Sequence, residues 1–249
     1  MSQPDKIQDL QDTWDRLGRE DPMWAVASNR DRWSREEFFA SGEAEIAEAM
    51  AYVESLGLEL ERRRALDFGC GLGRLTRALG DRYEETVGVD IAPSMTRAAT
   101  ELNADRRNVS FVVNDRPGLD ALESGSFDLV FSNITLQHMA PELAARYIES
   151  FMRVVSDRGL VLFQLPSERR AEESGLGARL RRARRQGPRR TLRALTRRLS
   201  PQPTMEMHCI PREEVVRLVE DAGGTVRDVR ANQNAGELYE SFYYAATRA

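Results

Sequence analysis

Cysteine, histidine and lysine are nearly absent from this chain: among 249 residues there are two cysteines, two histidines and a single lysine, Lys6, against 35 arginines. Two cysteines, Cys70 and Cys209, cannot build the disulfide framework of a small secreted scaffold. Two histidines without any accompanying ligand spacing give no basis for a metal site. No apolar run approaches the roughly 18 residues that a membrane-spanning helix requires. The amino-terminal stretch MSQPDKIQDLQDTWDR is polar and acid-rich, with none of the apolar core of a secretory signal. These absences lead to the expectation of a cytoplasmic protein. No internal repeat is found.

What is present is a sizeable apolar fraction and an uneven charge. Hydrophobic residues make up 41% of the chain, enough for a real core. The length fits one α/β domain with additions. The net charge of −4 hides a basic segment: Ser167 to Ser200 hold 12 Arg and 3 Glu, so +9, leaving −13 on the remainder. An acidic body argues against general nucleic-acid affinity, and the single basic segment makes one locally basic surface.

Residues 1–60 read as a helical cap. Arg35–Phe39 and Glu43–Leu56 have helical character, the latter with apolar positions at Ile46, Met50, Val53 and Leu56 and with Gly57 placed to end it. Trp14, Trp24 and Trp33 all fall in this cap, where they either pack helices onto the domain or cover a ligand. From residue 61 to 249 short apolar runs alternate with helical stretches, the pattern of βαβ units around a parallel sheet. Strands are predicted at Ala65–Phe68, Thr86–Val89, Val109–Val113, Phe127–Ser132 and Leu160–Leu165, with helices at Leu75–Leu79, Ser94–Leu102 and Pro141–Val155. After an Arg-rich insertion at about 167–204 come a helix at Pro211–Ala222, with Pro in its first turn, and closing strands at Thr225–Val229 and Tyr239–Ala245.

The most specific signal is Asp67-Phe68-Gly69-Cys70-Gly71-Leu72-Gly73-Arg74, a buried strand running through alternate glycines into a helix. Glycine permits positive φ and lets a ligand lie against the main chain. The dinucleotide pattern G-x-G-x-x-G fails, because its third position is Arg74 or Thr76, and a phosphate-binding P-loop fails for want of lysine. The spacing suits a ligand without a pyrophosphate. Seventeen residues beyond Gly73, the next strand ends at Asp90, whose carboxylate could accept hydrogen bonds from both hydroxyls of a ribose. Alternatively Asp90 caps the helix that follows at Pro93.

Together these residues resemble the class I S-adenosylmethionine-dependent methyltransferases, closely over about 64–166 and loosely over the last strands. The resemblance implies a Rossmann-like α/β fold with a seven-stranded, mostly parallel sheet and S-adenosyl-L-methionine as cofactor. It implies that Asp67 and the backbone of Gly69, Cys70 and Gly71, in the loop closed by Gly73, hold the methionine end. Asp90 would take the ribose, with Ile91 and Met95 against the adenine. Asn114-Asp115 matches the position facing the adenine amino group; the alternative is an ordinary turn before Pro117-Gly118. Asn133, ending the fourth strand, would approach the cofactor's amino group through its carbonyl.

The segment after that strand, Ser132-Asn133-Ile134-Thr135-Leu136-Gln137-His138-Met139, separates subclasses. It lacks the Asn/Asp-Pro-Pro-aromatic motif of exocyclic amine methylation and the Pro-Cys nucleophile of cytosine methylation, and it resembles bacterial small-molecule and sugar methyltransferases. Methyl transfer to a hydroxyl needs alignment and proton removal, and histidine suits the second task near neutral pH. His138 and His208 are therefore the candidate bases. The acceptor is expected to be a small molecule or a glycan, with N-methylation of a small amine or a catalytically silent cofactor-binding protein as the alternatives. Within the basic insertion, Arg179–Arg185 and Arg189–Leu199 read as two short helices broken at Gly187-Pro188. That element could form a substrate lid or a peripheral contact with an anionic membrane; RNA is disfavoured because no aromatic side chain is available for base stacking.

Overall fold

Parallel strands flanked by helices on both faces must be apolar on both faces, and the alternation of partners along each strand shows this here. The computed structural model describes residues 3–28, 32–170 and 205–249. Seven strands form one sheet: β1 (Arg64–Phe68), β2 (Glu85–Asp90), β3 (Val109–Val113), β4 (Phe127–Ser132), β5 (Val155–Arg169), β6 (Gly224–Asn232) and β7 (Tyr239–Arg248). Their order is β3-β2-β1-β4-β5-β7-β6. The first five are parallel, and β7 runs antiparallel to both of its neighbours. The expected seven-stranded, mostly parallel Rossmann-like sheet is thus present.

Among the described residues seven α-helices surround it: α1 (Gln3–Glu20), α2 (Pro22–Val26), α3 (Arg35–Ser55), α4 (Arg74–Gly80), α5 (Pro93–Leu102), α6 (Pro141–Val154) and α7 (Arg212–Asp221). Leu129, Phe131 and Leu162 pack with Ile46 and Met50 of α3 and Leu75 and Leu79 of α4. Their strand neighbours Val130, Val161 and Phe163 pack on the opposite face, with Phe151 of α6 and Val215 and Val219 of α7. All six residues of β4 are buried, as a central strand covered twice requires. The strand order reverses between β1 and β4, which opens a crevice at the carboxyl ends of these strands.

Three differences from the sequence reading have local causes. Arg35–Phe39 and Glu43–Leu56 belong to one helix, α3, because Gly42 does not interrupt it. A Cβ at Gly42 would lie 2.5 Å from the carbonyl oxygen of Arg74, so the glycine lets α3 and α4 approach closely. Strand β5 is far longer than Leu160–Leu165, since β7 pairs with it from Val161 to Arg169. Pro211 is the N-cap of α7 and does not enter its first turn.

Helix α1 lies against the start of α5: Ser94 N–H donates to Asp15 Oδ1 (2.7 Å) and Gln11 Nε2 to the Ile91 carbonyl (3.0 Å). Helix α3 starts from a capping box in which Ser34 and Glu37 satisfy each other's backbone N–H. Most of the Arg-rich insertion, with its two expected basic helices, lies outside the described residues. No helix among the described residues is long and apolar enough to cross a membrane.

Candidate active site

At the switch point β1 passes into the glycine loop. The N–H groups of Gly69 and Cys70 both donate to the Val89 carbonyl, at 2.7 and 3.1 Å, which lays the loop across the end of β2. Gly69 and Gly71 have φ of +79° and +51°. A Cβ at Gly69 would fall 2.2 Å from the Thr135 side chain, and one at Gly71 would fall 2.5 Å from Val26 Cγ2. Both positions therefore need glycine twice over, for backbone conformation and for close approach.

Asp90, at the end of β2, is bound to the loop. Its Oδ2 accepts from Gly71 N–H (2.8 Å) and its Oδ1 from Ala92 N–H (2.9 Å), at the N-cap of α5. Asp90 does not cap α5, whose N-cap is Ala92 with no side-chain cap hydrogen bond; its contacts with Gly71 and Ala92 leave one lone pair on each oxygen. Burial pushes the Asp90 carboxyl above its ordinary value, opposed by these backbone hydrogen bonds.

A cavity of about 1330 Å³ opens over this edge of the sheet. That exceeds the roughly 300–1,000 Å³ usual for one ligand pocket, so a cofactor and a second molecule can share it. Of the residues the sequence singled out, Gly69, Cys70, Gly71, Asp90, Ile91, Met95, Asn114, Asn133 and His138 line it. Asp67, Gly73, Asp115 and His208 do not belong to this lining. Asp67 sits beneath the loop, 1% exposed, where Thr76 Oγ1 donates to it at 2.6 Å, and burial pushes its carboxyl up to about 7. Gly73, with φ +76°, is the N-cap of α4. Asp115 is exposed in the turn after β3. Asn114 is fastened in that turn, its Nδ2 donating to the Arg116 and Gly118 carbonyls at 3.0 and 2.9 Å. His208 donates its backbone N–H to the Gln137 carbonyl at 2.7 Å.

The cap supplies one wall. Leu10 and Trp14 of α1, Ala25 and Val26 of α2, and Trp33 line the cavity, whereas Trp24 packs in the adjoining apolar cluster. All three tryptophans pack against that cluster, and Trp14 and Trp33 also line the cavity. Trp14 stands edge-on to His138, ring centroids 5.3 Å apart.

A second wall was not legible in the sequence. Arg74 forms an ion pair with Glu45 of α3 at 2.8 Å. Glu45 also accepts from Asn133 Nδ2, and Asn133 Oδ1 accepts from Asn234 Nδ2 at 2.9 Å. The same Asn234 amide donates to Tyr243 Oη at 2.7 Å. This chain of contacts joins α3, α4, β4 and the β6–β7 turn around the cavity. Arg74 directly follows the glycine loop and could have been suspected; Glu45, Asn234 and Tyr243 come from segments with no local motif.

His138 closes the short 3₁₀ turn Leu136–His138. Its Nδ1 meets the Glu206 carbonyl at 3.0 Å and its Nε2 meets Gln137 Nε2 at 3.2 Å. Burial lowers its pKa, and nearby His208 adds to the lowering, against the raising effect of the Glu206 carbonyl. The ring is therefore neutral at physiological pH. Among the described residues no three His, Cys, Asp or Glu side chains cluster so as to hold a metal ion.

Comparison with known proteins agrees with this geometry. Residues 65–159 match the family described as methyltransferase domain. The chain is 32% identical over 128 residues to phosphoethanolamine N-methyltransferase 1 of Caenorhabditis elegans, covering 51% of this chain and 25% of that protein. It is 32% identical over 125 residues to the 2-methyl-6-phytyl-1,4-hydroquinone methyltransferase of Synechocystis, covering 50% of this chain and 38% of that protein. The chain thus spans well under half the length of these curated relatives. The Synechocystis magnesium protoporphyrin IX methyltransferase, solved with S-adenosylhomocysteine bound, superposes with a TM-score of 0.61 at 18% identity, over 97% of this chain and 99% of the other. Residues 65–159 match a methyltransferase domain, and the chain around them has the seven-stranded Rossmann-like fold of the class I methyltransferases.

Proposed function

We propose that this protein transfers a methyl group from S-adenosylmethionine to a hydroxyl of a small-molecule or glycan acceptor. The observation that carries the reading is a single cavity lined by Asp90, the glycine loop and His138. The residues present fit the cofactor. Asp90 keeps a free lone pair on each oxygen for the two ribose hydroxyls, and Arg74 Nε is a buried donor without a partner, suited to a carboxylate. Ile91 and Met95 add apolar surface for an adenine. When bound, the cofactor supplies a methyl group already activated by its sulfonium. The protein then needs to exclude water, align the acceptor and remove one proton. Trp14, Val26 and Trp33 form the apolar cover. His138, neutral at physiological pH, takes the proton the acceptor hydroxyl loses as its oxygen bonds to the methyl carbon.

A second reading is methylation of a neutral amine. It is favoured by the Gln137 amide already occupying the Nε2 side of His138, since such an amine brings its own lone pair and needs no base to attack. The C. elegans relative is itself named an N-methyltransferase. Incubation with S-adenosylmethionine and a panel of hydroxylated and amine acceptors, followed by product mass spectrometry, separates the two. Methylated hydroxyls support the first reading; products from amines alone overturn it in favour of the second. Failure to bind S-adenosylhomocysteine overturns both.

A further inference from the structure

Ile134 is the one non-glycine residue among the described residues with positive φ, +56°. A β-branched side chain is disfavoured there, so something must hold the backbone in place. Ile134 N–H donates to Gln164 Oε1 at 3.0 Å. Gln164 is fully buried in the middle of β5, inside the apolar run Leu160–Leu165. A buried amide is costly unless every group is bonded, and here every group is. Its Nε2 donates to Ser241 Oγ at 2.7 Å and to Gln137 Oε1 at 3.2 Å. Gln137, 3% exposed, turns its own Nε2 to His138 Nε2.

The direction of each bond follows from the ends. A backbone N–H can only donate, so the Gln164 atom facing Ile134 is its oxygen, and the atom facing Gln137 is its nitrogen. Gln137 must then present oxygen to Gln164 and nitrogen to His138. An amide nitrogen donates, so Nε2 of His138 carries the lone pair and the ring proton sits on Nδ1. At the far end Nδ1 faces the Glu206 carbonyl, which can only accept. Both ends give the same tautomer.

We propose that Gln164 and Gln137 are positioning residues that hold His138 as the neutral Nδ1–H tautomer, its Nε2 able to accept a proton and unable to donate one. The proposal rests on the reading of His138 as the residue that serves the acceptor. The bond exchanged on acceptor binding is the 3.2 Å contact with Gln137, whose amide keeps the lone pair occupied until an acceptor hydroxyl replaces it. The proton then moves from the acceptor oxygen to Nε2, while the Nδ1–H bond to Glu206 persists. The strained backbone at Ile134 is the fixed end from which the orientation propagates. The groups facing the imidazole are the Glu206 carbonyl, the Gln137 amide, the Trp14 ring and, as the titratable neighbour, His208.

The test is two-bond ¹H–¹⁵N correlation spectroscopy of the full chain with ¹⁵N-histidine, the two histidines assigned with His138→Asn and His208→Asn. The wild type should show His138 protonated on Nδ1 and bare on Nε2 at neutral pH. Gln137→Glu replaces a donor by an acceptor of the same shape. It should set an acceptor against each ring nitrogen and so raise the pKa of His138 by about one pH unit or more. Gln164→Leu, which does not touch the ring, should release Gln137, leaving Nδ1–H on Glu206 but freeing the Nε2 lone pair and raising the pKa in the same direction by less. A wild-type ring protonated on Nε2 overturns the proposal, and so does a folded Gln137→Glu variant with the wild-type pKa. Should Gln137→Glu not fold, the wild-type and Gln164→Leu spectra decide by the same criteria. These spectra need no acceptor, so the relay can stand while the proton-removal role of His138 fails by its own kinetics.

Discussion

Replacing Asp90 by Asn separates what this residue does for the fold from what it does for the cofactor. Asp90 accepts two backbone hydrogen bonds, from Gly71 at 2.8 Å and Ala92 at 2.9 Å. An asparagine oxygen can serve only one of these, and its amide nitrogen then faces the other N–H. Losing one charge-assisted bond costs about 1.5–3 kcal/mol. Burial, however, already raises the Asp90 pKa, so the charge itself is a burden on the folded state at neutral pH. The two effects oppose each other, and Asp90→Asn should fold with only a modest change in melting temperature. Binding has no such compensation. The ribose hydroxyls lose an anionic acceptor that offers one lone pair on each oxygen, and affinity for S-adenosylhomocysteine should fall by about 1.5–3 kcal/mol, roughly 10–150-fold. Isothermal titration of wild type and variant measures the loss, with circular dichroism to verify folding. A folded Asp90→Asn protein with unchanged affinity would refute the reasoning and remove Asp90 from the site.

Three further outcomes follow from the same geometry. Gly71→Ala, at φ +51° and 2.5 Å from Val26, should cost at least ~1–2 kcal/mol from backbone conformation alone and weaken cofactor binding by displacing α2; melting and titration check both. His138→Asn should lose about 10²–10⁴-fold in kcat with unchanged cofactor affinity, once an acceptor is found. Because burial lowers the His138 pKa, the wild-type rate should rise through one ionisation below the ordinary imidazole range and plateau by neutral pH, a limb the variant lacks. Asp67 titrates at about 7 in the folded chain against an unfolded value of 3.8, so the native state holds the extra proton between these pH values. Stability should fall as pH rises through that window, by up to ~4 kcal/mol, and Asp67→Asn should reduce the slope between melts at pH 5 and pH 8, leaving the part of the same sign due to Asp90.

The fold was legible where the physics is local. A parallel strand covered on both faces must be a short apolar run, and Phe127–Ser132 was read to the residue, as was the part-exposed edge strand Val109–Val113. The break read between Phe39 and Glu43 does not exist, and Gly42 within α3 is explained by its close packing against Arg74. Within the site, Asp90 was conspicuous because it follows the glycine loop at a fixed interval on the next strand. Gln164 was invisible: one amide within an apolar strand announces nothing until Ile134, Ser241 and Gln137 are seen around it. Glu45 and Asn234 were hidden for the same reason, since they meet Asn133 from 88 and 101 positions away, and Tyr243 joins only through Asn234. His138 was noticed because histidine is rare here, yet its tautomer depends on partners that only the fold assembles.

The most direct test of the central claim is a crystal structure of the full chain with S-adenosylhomocysteine. The account predicts the ribose hydroxyls within hydrogen-bonding distance of both Asp90 oxygens, the homocysteine end between the glycine loop and Arg74, and open volume between the sulfur and His138. A ligand bound with its ribose away from Asp90, or with its sulfur turned from His138, would contradict it.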